Sequence, residues 1–313
     1  MSVALITGGA GFLGATLAAR LASAGARVRV LDAMLPETGA NPFNLEGIAH
    51  EFVRADLRHD DLAAAVGGVD LVFDLAGQTS HMGSQADPRG DLAHNADARL
   101  RLILALRGAA PQARVVYAST RQIYGRPRRQ PVDENHPIDP PDANAVAKWA
   151  GEQYWLLEHK LHGRHVAALR LTNCFGPRLR VKDARQTFVG IWLRRTVEGA
   201  PFEVWGGEQQ RDFLYAEDAA AAFIAAAAAD ACAGRAFNVG GTPPVSLRRL
   251  AALMGGAFEV RPMPPERARI DVGSVTLDDS AFRAATGWAP RADLAEGLAA
   301  TLAYYRRHLP RYL

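Results

Sequence analysis

The stretch that decides the fold is Val3-Ala4-Leu5-Ile6-Thr7-Gly8-Gly9-Ala10-Gly11-Phe12-Leu13-Gly14. An apolar run leads straight into a glycine cluster, and helical periodicity follows across 12–24. Strand, glycine turn and helix in that order form the cradle a dinucleotide pyrophosphate requires. Gly8 permits the tight turn, Gly11 lets backbone approach the phosphates, and Gly14 lets the helix pack closely on the sheet. Phe12 and Leu13 open that helix, whose N-terminus offers free N–H groups and a positive dipole end. Beyond it, Val28-Arg29-Val30-Leu31 leads to Asp32. A carboxylate there accepts hydrogen bonds from the adenosine ribose hydroxyls and repels a 2′-phosphate, which favours NAD(H) over NADP(H). Asp56, followed by Leu57, comes after the next strand and either holds the adenine amino group or is a solvated loop acid.

Working outward, the 313 residues are 49% hydrophobic and 22% charged, with 36 basic and 33 acidic side chains. That composition builds a sizeable core and excludes a disordered chain. The longest apolar run, around 219–229, falls short of the ~18–20 residues a membrane span needs. Cys174 and Cys232 make neither a disulfide framework nor a metal-ligand spacing, which suits a reduced cytoplasmic setting and no bound metal. The net charge of +3 is scattered apart from Arg126, Arg128 and Arg129, so it argues for a small anionic substrate and against nucleic acid.

Short strand-like runs at Val3–Thr7, Arg27–Leu31, Phe52–Val53, Leu71–Asp74, Val115–Ala118 and Val166–Leu171 alternate with helical patterns near 60–66, 97–107 and 142–162. Such alternation reads as parallel βαβ units. Proline density makes 126–142 a surface loop. Helical patterns near 186–198, 216–229, 246–254 and 292–308 follow among Pro/Gly-rich loops. The expected fold is α/β: a Rossmann doubly wound parallel sheet with a smaller C-terminal α/β lobe that binds substrate. The division expected is 1–172 and 173–313, with about 211–240 returning to the first unit.

Further stretches carry a resemblance. They are Asp70-Leu71-Val72-Phe73-Asp74-Leu75-Ala76-Gly77-Gln78, Asn95 before a helix, and Val116-Tyr117-Ala118-Ser119-Thr120-Arg121-Gln122-Ile123-Tyr124-Gly125. Leu169-Arg170-Leu171-Thr172-Asn173-Cys174-Phe175-Gly176-Pro177, Gly206–Phe213, Phe237–Gly241 and Thr286-Gly287-Trp288 complete the series. Together with the glycine turn, the chain resembles the extended short-chain dehydrogenase/reductases, specifically the NAD-dependent sugar-nucleotide epimerase/dehydratase family. The resemblance implies NAD as cofactor, a nucleoside-diphosphate sugar as substrate, and a homodimer paired through the helices near 97–107 and 142–162. Leu75, Ala76, Gly77, Gln78 and Asn95 then belong to the cofactor site. Thr120 stands at the catalytic Ser/Thr position and Lys148 at the lysine that holds the nicotinamide ribose. Asn173 and Arg211 match residues that grip the diphosphate, with Arg267 or Arg269 a second phosphate arginine. Ser84 and Gln186 fall on the substrate side.

The chain departs from that pattern where the acid/base should be. The tyrosine expected four residues before the lysine is Asn144. A phenol titrates and a carboxamide does not, so Asn144 donates and accepts hydrogen bonds without taking a hydroxyl proton. Three explanations stand: another group carries the proton, Thr120 and a water relay it, or the redox chemistry is lost. His81, which the alignment puts on a loop over the nicotinamide, is the first candidate, an imidazole being chemically suited; its other reading is a loop histidine with no catalytic part. Arg121-Gln122 replaces the acidic pair of the 4,6-dehydratases, which disfavours dehydration. Arg121 then either binds a substrate carboxylate or phosphate, or is a surface arginine. The expected activity is epimerisation through a transient keto sugar, with a silent cofactor-binding protein, a 4-ketosugar reductase or a dehydratase as alternatives.

Overall fold

The computed structural model describes residues 2–183 and 187–313. Six strands come from the first 171 residues: β1 (Val3–Thr7), β2 (Arg27–Asp32), β3 (Glu51–Arg54), β4 (Leu71–Asp74), β5 (Arg114–Thr120) and β6 (Val166–Leu171). With Arg235–Val239 they make one seven-stranded sheet, ordered Arg235–Val239, β6, β5, β4, β1, β2, β3. Every neighbouring pair is parallel. Parallel pairing demands crossovers, which lay helices on both faces and force the strands to be apolar on both. β6 is accordingly buried along its whole length.

The two-residue period of a strand sorts β1 between the faces. Ala4 and Ile6 pack with Leu17, Leu21, Phe73 and Phe223 on one side. Leu5 turns to the other, among Leu102, Leu106, Val115 and Trp155. A third cluster, with Phe175, Trp192, Phe202, Leu250 and Tyr305, lies almost wholly beyond residue 173, and Phe12 at the head of the first helix joins it. That contact ties the glycine turn to the second half of the chain. No helix among the described residues is long and apolar enough to cross a membrane.

Several elements differ from the sequence expectation, most by a residue or two at their ends. The pattern near 60–66 yields only the single turn Ala63–Val66. Arg235–Val239 is a strand, although it holds one β-branched residue, because its place beside β6 buries Phe237, Asn238 and Val239. The helix expected over 142–162 runs Ala143–His162, with Asp142 as its cap accepting from Ala145 N–H at 2.8 Å.

A buried ionic cluster fixes the floor of β5 and β6. Arg170 on β6 pairs with Glu152 at 2.6 Å, Glu152 accepts from Ser119 Oγ at 2.6 Å, and Arg170 also donates to the Tyr124 hydroxyl at 2.7 Å. Removing one member of such a pair strands a charge in a dry site. Arg170→Met should therefore cost about 3–5 kcal/mol, read as a lower urea midpoint, and adding Glu152→Leu should restore a large part of it. Equal midpoints for Arg170→Met and wild type would contradict this account.

Candidate active site

The carboxyl ends of β1, β2, β4, β5 and β6 open onto one cavity of about 860 Å³. It lies where the strand order reverses between β1 and β4, the place where open α/β sheets bind ligands. Gly8, Gly11, Phe12, Leu13, Gly14, Asp32, Asp56, Leu57, Leu75, Ala76, Gly77 and Gln78 all line it, with His81, Thr120, Asn144, Lys148 and Asn173.

The turn fits a dinucleotide by its own geometry. Gly8 has φ +65°, and a Cβ there would stand 2.8 Å from Ala76 Cα. A Cβ on Gly14 would stand 2.3 Å from the Gly8 carbonyl oxygen, so only glycine lets the helix start this close to the strand. Asp32 ends β2 with its carboxylate fixed by Ala10 N–H at 3.1 Å and Met34 N–H at 2.9 Å. Burial raises its pKa and those two bonds oppose the rise. Lone pairs remain for a ribose diol. Asp56 is less open, since both its oxygens are engaged by Arg58, which holds the carboxyl down at about 2. Arg58 itself lines the cavity.

The turn from Leu75 to Gly77 is built from below. Thr7 Oγ1 donates to Asp74 at 2.7 Å and accepts from Leu75 and Ala76 N–H, both at 3.1 Å. Trp155 Nε1 donates to the same carboxylate at 2.9 Å, and Arg99 pairs with it at 3.0 Å. Arg99 also donates to the Ala76 carbonyl at 2.6 Å. A Cβ on Gly77 would meet Asn95 Oδ1 at 2.7 Å and Lys148 Nζ at 3.2 Å. Lys148, one of the few buried ammonium groups a fold tolerates, donates to the Ala118 carbonyl at 3.2 Å. Burial above all, then the nearby Arg99 charge, pushes it down to about 8.

Asn144 is buried, and its amide nitrogen has both donors engaged. Its Nδ2 donates to Asp91 Oδ1 and to the Gln78 carbonyl, each at 2.9 Å. His81, expected on a loop, is instead the first residue of the helix His81–Ala86, because Ser80 caps it by accepting from Gly83 N–H at 3.0 Å. Its Nδ1 lies 2.7 Å from Asp142 Oδ2, and the Asp142 side chain is wholly buried. Burial would raise that carboxyl, but the His81 contact and the Ala145 N–H hold it below the usual carboxylate range. An anionic Asp142 accepts from Nδ1–H and so fixes the ring by that nitrogen. Thr120 Oγ1 accepts from Gln122 N–H at 3.1 Å, so its hydroxyl proton remains free to donate.

Other expected residues stand off the cavity. Asn95 lies behind the wall, accepting from Gln78 N–H and donating to Asp91 at 3.1 Å each. Ser84 is buried and donates to the His81 carbonyl at 2.7 Å, bracing the short helix. Arg121 is buried and donates to Asn173 Oδ1 at 3.2 Å, which rules out the surface reading. Arg211 is buried too, donating to the Gly273 carbonyl and pairing with Asp271 at 3.4 Å. Burial, then repulsion from Arg121, pushes Arg211 down to about 10. Arg267 lies over the Trp205 ring at 4.7 Å, and neither arginine lines the cavity. Gln186 lies outside the described residues. Cys174 lines the cavity with a thiol raised to about 12 by burial, which suits a wall and not a nucleophile.

Sequence reasoning missed three groups. Asp142 carried a signal, an acid just before a helical pattern after a proline-rich loop. Asp91 stands four residues before Asn95, one helical turn, a pairing distance that went unused. Nothing local in the sequence marked Arg99.

Comparison with known proteins follows the same outline. A family model described as the NAD dependent epimerase/dehydratase family matches residues 4–240. A UDP-glucose 4-epimerase of Mycolicibacterium smegmatis is 32% identical over 309 residues, 96% of this chain and 98% of its own. A dTDP-glucose 4,6-dehydratase of Streptomyces niveus is 29% identical over 318 residues, 96% of this chain and 92% of its own. The solved Thermus thermophilus UDP-glucose 4-epimerase in complex with NAD superposes with a TM-score of 0.85 at 28% identity, covering 97% of this chain and 99% of that one.

Lys148 gives a pH test with a definite sign. Between about 8 and 10.5 the unfolded chain holds a proton the folded chain has lost, so this group makes folding more favourable as pH rises through that window. Nitrogen NMR of labelled lysine should show one ammonium titrating near 8 that vanishes in Lys148→Met. All lysines titrating above 10 would contradict the burial argument.

Proposed function

The chain belongs to the NAD dependent epimerase/dehydratase family, and from that premise we propose that it epimerises a nucleoside-diphosphate sugar through a transient keto intermediate. One observation carries the reading: the glycine turn and Asp32 line the same cavity as Thr120, Lys148, His81 and Asn173. NAD is the cofactor, and when bound it takes a hydride from a ring carbon and returns it to the other face. Gly8 to Gly14 and Asp32 hold its diphosphate and adenosine ribose, and Lys148 the other ribose. Thr120 donates a hydrogen bond to the sugar oxygen being oxidised. The proton from that oxygen goes to His81 Nε2, with Asp142 fixing the ring and its tautomer. Asn144, in the tyrosine register, orders the wall and takes no proton. Asn173 faces the diphosphate, and Arg211, off the cavity, pairs with Asp271. Such an enzyme recycles its own cofactor and works in the NAD-containing cytoplasm.

Exposed Leu104 on Ala98–Ala109 and exposed Leu157 and Leu161 on Ala143–His162 support a dimer through these helices. Leu104→Glu with Leu161→Glu should halve the sedimenting mass. A wild type that sediments as one chain would exclude the dimer.

The activity test is incubation with NAD⁺ and a panel of nucleoside-diphosphate sugars, followed by separation of epimers. One sugar should reach an epimeric mixture with no net change in NADH. Unchanged sugar throughout would favour a silent cofactor-binding protein, and stoichiometric NADH formation, the reverse of ketosugar reduction, a ketosugar reductase.

A further inference from the structure

The loop that carries the chain from β2 to β3 walls the cavity beside Asp32. Leu35, Glu37, Thr38, Gly39 and Ala40 line it, and the short turn Pro42–Leu45 follows them. A segment with so little regular structure must find partners for its backbone elsewhere. On one side those partners belong to the glycine turn. Asn41 N–H and Asn44 Nδ2 both donate to the Ala10 carbonyl, at 3.0 and 2.9 Å. Ala10 N–H is also the group that holds Asp32 at 3.1 Å. One residue therefore joins the loop, the glycine turn and the acid that ends β2.

On the other side the loop is held by the turn Leu309–Tyr312. Tyr312 Oη donates to Asn44 Oδ1 at 2.6 Å across 268 positions of sequence. An amide oxygen only accepts, so Tyr312 spends its one proton there and takes another from Tyr304 Oη at 2.5 Å. Burial first, then the Tyr304 contact, pushes the Tyr312 phenol up, which keeps it a donor. Asn41 Nδ2 donates to the Arg311 carbonyl at 2.8 Å, and the Arg311 guanidinium lies 4.5 Å from the centre of the Phe43 ring. Asn44 and Tyr312 are buried, and neither lines the cavity. A buried polar group deprived of its partner costs more than the bond contributes on its own. Whatever these two residues do to a bound cofactor passes through Ala10 and the loop.

We propose that Asn44 and Tyr312 are positioning residues for NAD: the chain Tyr304–Tyr312–Asn44 pins the Ala10 carbonyl and keeps the wall at 35–40 closed against the cofactor. They touch no reacting atom. NAD leaves when that wall yields, so the hydrogen-bond chain sets the rate of release.

The experiment is release of radiolabelled NAD⁺ from the loaded full chain into excess unlabelled NAD⁺, well below the unfolding temperature, with the urea midpoint measured alongside. Tyr312→Phe removes one hydroxyl and should speed release about fivefold, the scale of one buried hydrogen bond. Asn44→Ala should speed release at least as much. Tyr312→Phe should add nothing further in the Asn44→Ala background, because residues acting through one network do not add. Release from Tyr312→Phe at the wild-type rate, with a lowered urea midpoint, would reduce the turn to a support for the fold and overturn the proposal. Fully additive effects in the double variant would overturn the route through Asn44. Should Asn44→Ala fail to fold, the release rate of Tyr312→Phe decides alone.

Discussion

The Asp91 carboxylate holds the centre of the site. Its Oδ1 accepts from both Asn95 and Asn144, and both amides also donate to the Gln78 carbonyl. Three separate segments are thereby locked: the turn after β4, the helical stretch around 88–97, and the first turn of Ala143–His162. Buried amide donors must be paired, and here the Asn95 and Asn144 nitrogens find Asp91 Oδ1 and the Gln78 carbonyl, while Asp91 Oδ2 is left without a partner. Exchange of Asn144 for a group with its own reactivity would break that lock. The Asn144 amide nitrogen is spent inside the wall, and a carboxamide takes no proton in any case.

That constraint moves the chemistry elsewhere. The proposed oxidation then needs a proton acceptor other than residue 144, and His81 lines the same cavity with its ring held by Asp142. Its partner Asp142 caps the helix that carries Asn144 and Lys148, so one helix start sets the ring orientation and the register of both. Lys148 is held under Gly77 by the same helix, near Asp74 and Arg99. The electrostatics of the cavity follow from these few buried charges, whose effect is strengthened by the dry surroundings.

The fold was legible because it rests on periodicity and on glycine spacing. β1, β4 and β6 are read to the residue from apolar runs, and Asp32 from its place at the end of β2. The cofactor side was legible for the same reason, being made of consecutive residues at strand ends. Substrate-side residues were harder. Arg211 and Arg267 come from loops whose course depends on tertiary contacts, and the structure turns both away from the cavity. His81 and Asp142 are 61 positions apart, and no local pattern announces that they meet. The spacing left Asp56 open between a ligand and a loop acid, and in the structure it lines the cavity while a neighbour two residues on takes its charge.

The central claim is that the proton leaves the sugar through His81 and not through residue 144. The most direct measurement is single-turnover mixing of the NAD-loaded protein with its nucleotide sugar, following the reduced nicotinamide absorbance. The account predicts a transient in the wild type that slows by about 100-fold or more in His81→Gln, the scale of general base catalysis, with NAD still bound. A transient of unchanged rate in His81→Gln would contradict it.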